Sequence, residues 1–546
     1  MMIREKNIKA LNQKFDLLIV GGGVTGAGIA LDAASRGLKT ALVEKDDFAS
    51  GTSSRSTKLV HGGLRYLKQL EIGLVSEVGR ERAIVHRNAP HLVIPEKMLM
   101  PLIKGGTYGK ISTALGLTVY DILAGVRKSD RREMLSREKA LQTEPLLNPE
   151  KLVGAGFYSE YRTDDARLTI ELIKAAGRYG AVCLNYMEMT EFIIQDGKLC
   201  GGVCQDLLGK EELYIKAKYV VNACGPWVDV LREMNNSLSN KRLHLTKGVH
   251  LVIPHEKMPV NHSIYFDVPD DRMIFAIPRG NKTYIGTTDT DYKGSLDRIV
   301  STEADALYLI KSINDTFPDI NIHLEDVDTN WAGLRPLIHQ EGKTASEISR
   351  RDEIFEAEDG LTSIAGGKLS GYRKMAEKTV DLVAKKYHKD SGKKLLGSIT
   401  ENLTLLPDHL KEEDLTSYKT EIKERLQSLG IGKEKVEYLI SNYGKQSDMI
   451  LDLVGKFEGT DSEEKLLRSE LRFSLDNESV MNPVDFFDRR TGRLYFDIDS
   501  VMKYKNIVID DLVEYFGWDE NQRNEEEDQL EQKIFDVTHF FTNDFV

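Results

Sequence analysis

The pattern of apolar and polar positions predicts strands that alternate with helices in the first two thirds of the chain. DLLIV at 16–20 is a short continuous apolar run, which is typical of a strand buried on both faces. The stretch 27–37 then reads as a helix that ends at a glycine, and KTALVEK at 39–45 as a second strand. Alternation of apolar and polar residues predicts β-sheet over 182–222 and again over 243–290.

Helical patterns occupy most of the remaining chain. Residues 76–90 and 166–180 have helical patterns, and from about residue 390 onward the amphipathic stretches are all helical. The acidic tail NQRNEEEDQLEQK at 521–533 is expected to be a solvated helix face. With 546 residues, the chain is too long for one ordinary core, so two or three domains are expected.

Composition excludes some classes of function. The net charge of −12, from 74 basic and 86 acidic residues, argues against a nucleic-acid binder. None of the four cysteines forms a CxxC pair, so neither a metal site nor a disulfide framework is expected. The N-terminus lacks the apolar stretch of a signal peptide, and no apolar run is long enough to predict a membrane-spanning helix.

The first strand is followed by a dinucleotide-binding pattern. Gly21, Gly23 and Gly26 have the GxGxxG spacing, and Glu44 ends the second strand 18 residues later. In such a unit the glycines permit a tight turn and a close approach of pyrophosphate to a helix N-terminus, while the acid accepts hydrogen bonds from a ribose. No second GxGxxG occurs further along, and the motif lies at the extreme N-terminus, so the sequence favours FAD over NAD.

Four further segments place polar side chains beside glycines or short apolar runs. They are TKLVHGGLRYL (57–67), KGVHLVIP (247–254), WAGLRPLI (331–338) with EISRRDEI (347–354), and SIAGGKLSGYR (363–373). Several arginines beside a flavin predict an anionic substrate, because arginine binds phosphate or carboxylate through two parallel hydrogen bonds. A histidine can remove a hydroxyl proton at neutral pH, and a nearby cation can stabilise the developing negative charge. These features predict a flavin enzyme that oxidises a small anionic alcohol or amine.

The same residues resemble those of a known family, the aerobic, quinone-linked FAD-dependent glycerol-3-phosphate dehydrogenases. The matching segments run in order along nearly the whole chain: IVGGGVTGAGIALDAASRGL, SSRSTKLVHGGLRYL, DDARL (164–168), VVNACGPWVD, KGVHLVIP, WAGLRPL, ISRRD, GGKLSGYR and DFFDRRTGRLYF (485–496). The resemblance implies oxidation of sn-glycerol 3-phosphate at C2 to dihydroxyacetone phosphate, with electrons passing from reduced FAD to a membrane quinone. One departure is visible, since Ser370 and Gly371 stand where the family often has two threonines.

The resemblance also assigns site residues, without deciding which histidine is the base. It implies catalytic roles for His61, Arg65, His250 and Lys368. The substrate would be bound by Arg65, Tyr66, Arg335, Arg350 and Lys368. The cofactor contacts are expected at Gly21, Gly23, Gly26, Glu44, Ser54, Lys58, Gly62, Gly225, Gly367 and Lys368.

The predicted fold class is α/β, with a Rossmann-type FAD-binding domain, a β-rich substrate (cap) domain and a helical C-terminal domain. The FAD-binding domain would comprise residues 15–75, 150–240 and 355–385, the cap domain 76–149 and 241–354, and the helical domain 390–546. Members of the family are similar in being homodimeric and peripheral on the cytoplasmic face of the cell membrane. The apolar segment 98–127, flanked by basic residues, is therefore either the face that contacts an anionic membrane surface or a helix buried in the core.

Three alternatives remain open from the sequence. A glycerol-3-phosphate oxidase would share the pocket and reduce oxygen, but such relatives carry an insertion that this chain lacks. A flavin amino-acid oxidase would need a carboxylate site but fewer arginines. A flavin-binding regulator without turnover would bind FAD that substrate cannot reduce.

Overall fold

The computed structural model describes residues 3–61, 72–105, 132–238, 241–270, 272–339, 352–408, 410–458 and 461–542. Its strands are β1 Phe15–Val20, β2 Thr40–Val43, β3 Leu59–Val60, β4 Ile94–Ile103, β5 Glu133–Leu135, β6 Leu152–Arg162, β7 Val182–Leu184, β8 Met187–Gln195, β9 Lys198–Asp206, β10 Glu212–Asn222, β11 Leu243–Pro254, β12 Ser263–Asp267, β13 Met273–Arg279, β14 Lys282–Gly286, β15 Thr290–Asp291, β16 Thr329–Ile338, β17 Asp352–Glu356 and β18 Thr362–Gly366. Its α-helices are α1 Ile3–Ala10, α2 Val24–Ser35, α3 Ile72–Asn88, α4 Arg137–Thr143, α5 Asp165–Arg178, α6 Val228–Met234, α7 Glu303–Thr316, α8 Tyr372–Ser391, α9 Leu415–Ser428, α10 Lys435–Tyr443, α11 Ser447–Leu453, α12 Ser462–Asn477, α13 Arg493–Phe496, α14 Ile498–Phe516 and α15 Glu520–Thr538.

The first sheet is built around the apolar run at the start of the chain. Its main path is β17-β18-β10-β1-β2-β7, in which β1 pairs in parallel with both β10 and β2. Leu17, Leu18 and Ile19 are fully buried, as expected for a strand covered on both faces. Helix α2 contacts both α5 and α8 on this sheet, so the predicted α/β cofactor fold is confirmed.

The second sheet contains ten strands and corrects two expectations about the chain. Residues 59–60 and 152–162 were expected in the cofactor domain, but β3 and β6 pair with each other in the second sheet. Residues 98–103 were expected at a membrane face or in a buried helix, yet they form the buried half of β4, which pairs with β6. Because residues 98–102 are buried, this part of the segment offers no surface to a membrane. Residues 106–127 of the same segment lie outside the described residues.

The C-terminal part is helical and is held to the first sheet by buried ion pairs. A π-helix at Asp485–Arg490 carries two arginines that both contact Asp47, just beyond β2. Arg490 binds the two carboxylate oxygens of Asp47 at 2.7 and 2.8 Å. A second pair joins Glu478 to Arg167 of α5 at 2.7 Å. The helical part therefore packs directly against the loop that follows the second strand.

Two expectations about single features can be compared with the described residues. Across the described ranges, no helix has both the length and the apolar character needed to cross a lipid bilayer. The acidic segment 521–533 is a helix, but it is not solvated on all sides, since Glu526 and Leu530 are buried.

Candidate active site

A cavity of about 350 Å³ opens where the two sheets meet. It is lined by the turn after β1, the segment after β10, the loop 50–57, strands β11 and β16, and the turn after β18. Ligands of open α/β sheets bind at the carboxyl ends of the parallel strands, and this cavity lies at those ends of β1 and β10. The predicted site residues that line it are Gly21, Gly23, Glu44, His61, Gly225, His250, Arg335, Gly367 and Lys368.

The glycine turn after β1 is shaped by close backbone contacts. Gly21 has a φ of +111°, and a Cβ there would lie 2.6 Å from the carbonyl oxygen of Ala223. A Cβ on Gly26 would lie 1.9 Å from the carbonyl oxygen of Gly21, so this glycine lets α2 approach the strand. Gly23 is the N-cap of α2, and the hydroxyl of Ser53 accepts a hydrogen bond from the amide of Val24 at 2.9 Å. The turn therefore directs a helix N-terminus at the cavity, as an anionic group requires.

Glu44 is positioned by the same turn. Its carboxylate accepts hydrogen bonds from the amides of Gly22 at 2.6 Å and Asp46 at 3.0 Å. Burial raises the pKa of Glu44 to about 7, against the effect of these hydrogen bonds. The carboxylate is thus fixed at the end of β2, where the dinucleotide motif places the acceptor for a ribose.

The guanidinium of Arg335 is held in the cavity by hydrogen bonds to neighbouring side chains. Arg335 lies on β16, and its guanidinium donates to the hydroxyl of Thr287 at 2.8 Å and to Asp289 at 3.2 Å. A Cβ on Gly248 would lie 2.3 Å from Nη2 of Arg335, so this glycine makes room for the guanidinium to cross the neighbouring strand. Pairing of β11 with β16 thus explains why KGVH and GLRP occur together in the sequence.

The two histidines of the cavity have different surroundings. His250 is 1% exposed, stacks on its cross-strand partner Trp331 at 4.7 Å, and its Nε2 lies 2.9 Å from the hydroxyl of Thr57. Burial, and then the charges of Arg335 and Lys58, hold the pKa of His250 well below its usual value. His61 follows β3, is only partly buried and meets the ring of Phe275 edge-on at 5.8 Å.

Two predicted cofactor residues do not line the cavity. Ser54 is 1% exposed within a short turn, where its hydroxyl donates to the carbonyl of Gly51. Lys58 is 2% exposed, and its ammonium forms a 2.6 Å ion pair with Asp165. Both side chains instead hold the loop 50–57 in place beneath the cavity. Gly26 likewise acts through packing of α2 and not as a lining residue.

Four predicted residues lie outside the described part of the chain: Gly62, Arg65, Tyr66 and Arg350. Their roles remain predictions. Among the residues that are described, no group of three or more metal-binding side chains comes together, so no metal centre emerges there.

Other lining residues were not identified from the sequence. Met187 and Met189 of β8, Trp227 after β10 and Arg55 of the loop 50–57 all line the cavity. The segment FASGTSSRSTK at 48–58 is small and hydroxyl-rich, which is typical of a loop over a cofactor, but nothing in it singles out Arg55. Trp227 lies in the segment GPWVD, which the sequence marks only as a return from the sheet.

Known proteins resemble the chain over nearly its whole length. The family model "FAD dependent oxidoreductase" matches residues 16–373, and the model "C-terminal domain of alpha-glycerophosphate oxidase" matches residues 398–523. The chain is 49% identical to an aerobic glycerol-3-phosphate dehydrogenase of Bacillus subtilis (strain 168), covering 98% of this chain and 97% of that protein. It is 48% identical to the protein of that name from Staphylococcus aureus (strain USA300), covering 98% and 96%. The X-ray structure of the glycerol-3-phosphate dehydrogenase from Bacillus halodurans complexed with FAD is similar with a TM-score of 0.81 at 40% identity, over 98% of both chains.

Proposed function

Because the chain belongs to the FAD-dependent oxidoreductases and, within them, to the aerobic glycerol-3-phosphate dehydrogenases, we propose that it oxidises sn-glycerol 3-phosphate at C2 to dihydroxyacetone phosphate. The observation that carries this proposal is one cavity that joins a dinucleotide turn to Arg335, Lys368 and two histidines. An anionic alcohol needs a cation to bind it and a base to accept its proton, and both kinds of group line the cavity.

The residues present fit FAD. The N-terminus of helix α2 faces the cavity at Gly23, and the carboxylate of Glu44 can accept a hydrogen bond from a ribose hydroxyl. Any other residue at Gly21 or Gly26 would add a Cβ that overlaps a backbone carbonyl oxygen, of Ala223 or Gly21 respectively, and would distort the turn before the helix. Bound FAD supplies the acceptor for the hydride that leaves C2.

Arg335 binds the substrate phosphate in this proposal. Its guanidinium is kept in place by Thr287 and Asp289, so little side-chain freedom is lost when an anion binds. On the resemblance alone, Arg350, Arg65 and Tyr66 complete the phosphate site. Lys368, at the turn after β18, lines the same cavity and supplies positive charge where the alcohol oxygen becomes negative.

We assign the role of base to His61 and a positioning role to His250. The ring of His250 is fixed between Trp331 and Thr57, and its low pKa makes it a poor proton acceptor at neutral pH. His250 instead orients the hydroxyl of Thr57, at the start of the segment that carries His61. His61 is the more accessible of the two rings and lines the cavity directly.

Electron transfer to a membrane quinone, association with the cytoplasmic face of the membrane and a homodimeric state are further parts of the proposal. Relatives named aerobic support the first of these. The candidate membrane face is now restricted to residues 104–127, since residues 98–102 are buried in β4.

The test is the visible spectrum of the purified protein before and after anaerobic addition of sn-glycerol 3-phosphate. We expect bleaching of the flavin bands by this substrate and not by sn-glycerol 1-phosphate or glycerol. Flavin bands that no glycerol phosphate bleaches would contradict the substrate and favour a regulator without turnover.

A second measurement separates the dehydrogenase from the oxidase. The reduced protein is mixed either with air-saturated buffer or, anaerobically, with a soluble quinone analogue. We expect rapid reoxidation by the quinone and slow reoxidation by oxygen. The reverse order would favour the oxidase, for which the C-terminal family model is named.

A further inference from the structure

A second cavity, of about 610 Å³, lies beside the first one. It is enclosed by the loop 46–55, strand β16, the segment 296–300, the π-helix and helix α15. The two cavities share Asp46, Ser50, Arg55 and Trp227 as lining residues. Nothing in the proposed reaction uses this second space.

Arg55 lies between the two cavities and lines both of them. Among the residues that the structure describes, its guanidinium has no hydrogen-bond or ion-pair partner, and its Nε is fully buried. The groups whose pKa values it influences all belong to the C-terminal helices: Asp488, Tyr495 and Lys533. A buried polar group without a partner is rare and costs free energy, which makes this guanidinium a candidate ligand for an anion.

Lys533 is the second cation of this cavity. Its nearest carboxylate oxygen, on Asp488, is 3.6 Å from Nζ, beyond hydrogen-bond distance. Burial, and then the positive charge of Arg55, lower the pKa of Lys533 to about 8. Lys533 therefore has a buried acidic neighbour in Asp488 but no hydrogen bond to it, and Arg55 adds a second positive charge to the same cavity.

The acidic residues of the cavity do not neutralise this pair. Asp536 binds Arg298 through both oxygens, and Asp297 pairs with Lys45. Asp488 does not line the cavity but lies behind it, and although burial would raise its pKa, the charges of Lys533, Arg489 and Arg55 lower it. Asp47 pairs with Arg489 and Arg490. The two remaining lining acids, Asp46 and Asp528, have exposed side chains.

We propose that the second cavity binds a phosphate group, free or carried by a small metabolite, with Arg55 and Lys533 as its cationic ligands. Two positive charges match the charge of nearly −2 that a phosphate monoester carries at neutral pH. A guanidinium and an ammonium together offer the donors that phosphate oxygens accept. The proposed site extends beyond the substrate site, because Lys533 lines only the second cavity, whereas Arg55 lies between the two and lines both.

The test is isothermal titration calorimetry of the FAD-loaded protein with inorganic phosphate and, separately, with glycerol phosphate. Titrations use the wild type, Arg335→Ala, Lys533→Met and the double variant Arg55→Gln/Lys533→Met. Arg523→Gln is the matched control, since Arg523 lies on the same helix outside the cavity and pairs with Asp510. Lys533→Arg keeps the charge and should restore binding.

We expect phosphate binding that survives Arg335→Ala, weakens roughly tenfold or more in Lys533→Met, and is unchanged in Arg523→Gln. Binding that Arg335→Ala abolishes and Lys533→Met leaves intact would place phosphate only at the substrate site and overturn the proposal. Tighter binding of glycerol phosphate than of inorganic phosphate in the Arg335→Ala variant would identify a metabolite as the ligand. Equal affinities would identify the free ion.

A second readout is independent of binding heat. Competitive acylation followed by mass spectrometry gives the pKa of Lys533 with and without phosphate in the Arg335→Ala protein. A bound anion should raise that pKa from about 8 towards the ordinary lysine range. An unchanged labelling profile at saturating phosphate would contradict the assignment of Lys533 as a ligand, even if the variants bind phosphate poorly.

Discussion

The two ends of the first cavity are built from different kinds of chain segment. At the cofactor end, the glycine turn and Glu44 come from one continuous stretch, residues 15–44, and their spacing is local. At the substrate end, His61, His250, Arg335 and Lys368 come from four segments that are far apart in sequence. One end is a preformed motif, whereas the other is assembled by the pairing of distant strands.

This difference predicts that residues of the glycine turn matter mainly for folding, whereas side chains of the substrate end matter mainly for catalysis. A Cβ at Gly21 or Gly26 would meet backbone atoms just beyond the ends of β1 and β10, so a substitution at either glycine disturbs the packing of the first sheet. The cations and histidines of the substrate end project from strands whose backbone pairing does not depend on them. We therefore expect changes at Gly21 or Gly26 to cost stability and flavin together, and substrate-end changes to cost activity alone.

Gly26→Ala is expected to have the largest effect, because it adds a single methyl group to the tightly packed glycine turn. In Gly26→Ala the new Cβ would meet the carbonyl oxygen of Gly21 at 1.9 Å, which only a backbone shift relieves. We expect a loss of at least about 3 kcal/mol in the free energy of unfolding, and protein that is purified without flavin.

Gly23→Ala is the matched control for the turn. A Cβ at Gly23 would meet only the hydroxyl of Ser53, at 3.1 Å, so the fold should persist while the approach of a pyrophosphate is hindered. Circular dichroism and the flavin absorbance of the two variants distinguish the roles. Equal stability of Gly26→Ala and wild type would refute the packing role of Gly26.

The next largest loss of stability is expected from a change at Asp47, where the C-terminal helices contact the cofactor end. Burial alone would raise the pKa of Asp47, but the charges of Arg490 and Arg489 lower it to about 2. Asp47→Asn removes the carboxylate that Arg490 binds through two hydrogen bonds, while Arg489 keeps Asp485 and Asp488, so the free energy of unfolding should fall by about 3 kcal/mol. Urea denaturation measures this loss.

The pH dependence of stability gives a second check on Asp47. Because its pKa is lower in the folded state than in the unfolded chain, its stabilisation is complete above about pH 4 and is lost as the pH falls towards 2. Asp46→Asn changes the exposed neighbouring carboxylate and should cost little. If both variants unfold at the same urea concentration, Asp47 does not join the two regions.

Much of the cofactor end could be predicted from the sequence because its signals are local. A buried apolar run, three spaced glycines and an acid at the end of the next strand act within thirty residues, 15–44. The comparisons confirm the FAD-dependent fold that these signals predict. Ser54 and Lys58 do not line the cavity, because a hydroxyl-rich loop does not reveal which of its side chains turn inward, and their contact with the cofactor stays a prediction.

The rest of the architecture depends on contacts that a linear pattern does not encode. The pairing of β3 with β6 joins residue 59 to residue 162, so the sheet to which each strand belongs could not be read from periodicity. The buried pairs of Asp47 with Arg489 and Arg490 likewise connect positions that are more than 440 residues apart. Charged residues in an amphipathic helix pattern usually indicate a solvated face. Here Arg489 and Arg490 are buried, and they connect the C-terminal helices to the first sheet through Asp47.

At the substrate end, the largest expected effect is the loss of Arg335. In Arg335→Ala the phosphate loses a preorganised guanidinium, which should lower kcat/KM by about 100-fold or more. Flavin content and the free energy of unfolding should stay close to those of the wild type, because the hydrogen bonds from Arg335 to Thr287, Thr288 and Asp289 are made by its side chain and are not part of the backbone pairing of β11 with β16. Steady-state kinetics and flavin absorbance measure the two quantities.

Gly248→Ala tests the same cation without removing it. The added Cβ would overlap Nη2 of Arg335 at 2.3 Å and displace the guanidinium. KM for the substrate should therefore rise while flavin content is retained. An unchanged KM in Gly248→Ala, or a parallel loss of flavin and activity in Arg335→Ala, would break the separation between the two ends.

The smallest effect concerns the protonation of Glu44. Its pKa of about 7 means that it gains a proton as the pH falls from 8 to 6. A carboxylate accepts a ribose hydrogen bond more strongly than a carboxylic acid, so the dissociation constant of FAD should rise roughly fivefold over this range. Fluorescence titration of the flavin-free protein measures it.

The stability of the flavin-free protein should change in the opposite direction. Because the pKa of Glu44 is higher in the folded state than the ordinary 4.5, the folded form binds the extra proton, and this group stabilises the protein as the pH falls through 7. Nonspecific destabilisation by acid would weaken cofactor binding and lower the stability of the apoprotein together. Protonation of Glu44 should instead weaken cofactor binding and make the apoprotein more stable. In Glu44→Gln, which keeps an acceptor oxygen and cannot titrate, both pH dependences should disappear. If they persist, another group at the cofactor end is responsible, and the continuous stretch 15–44 does not contain every residue that tunes cofactor affinity.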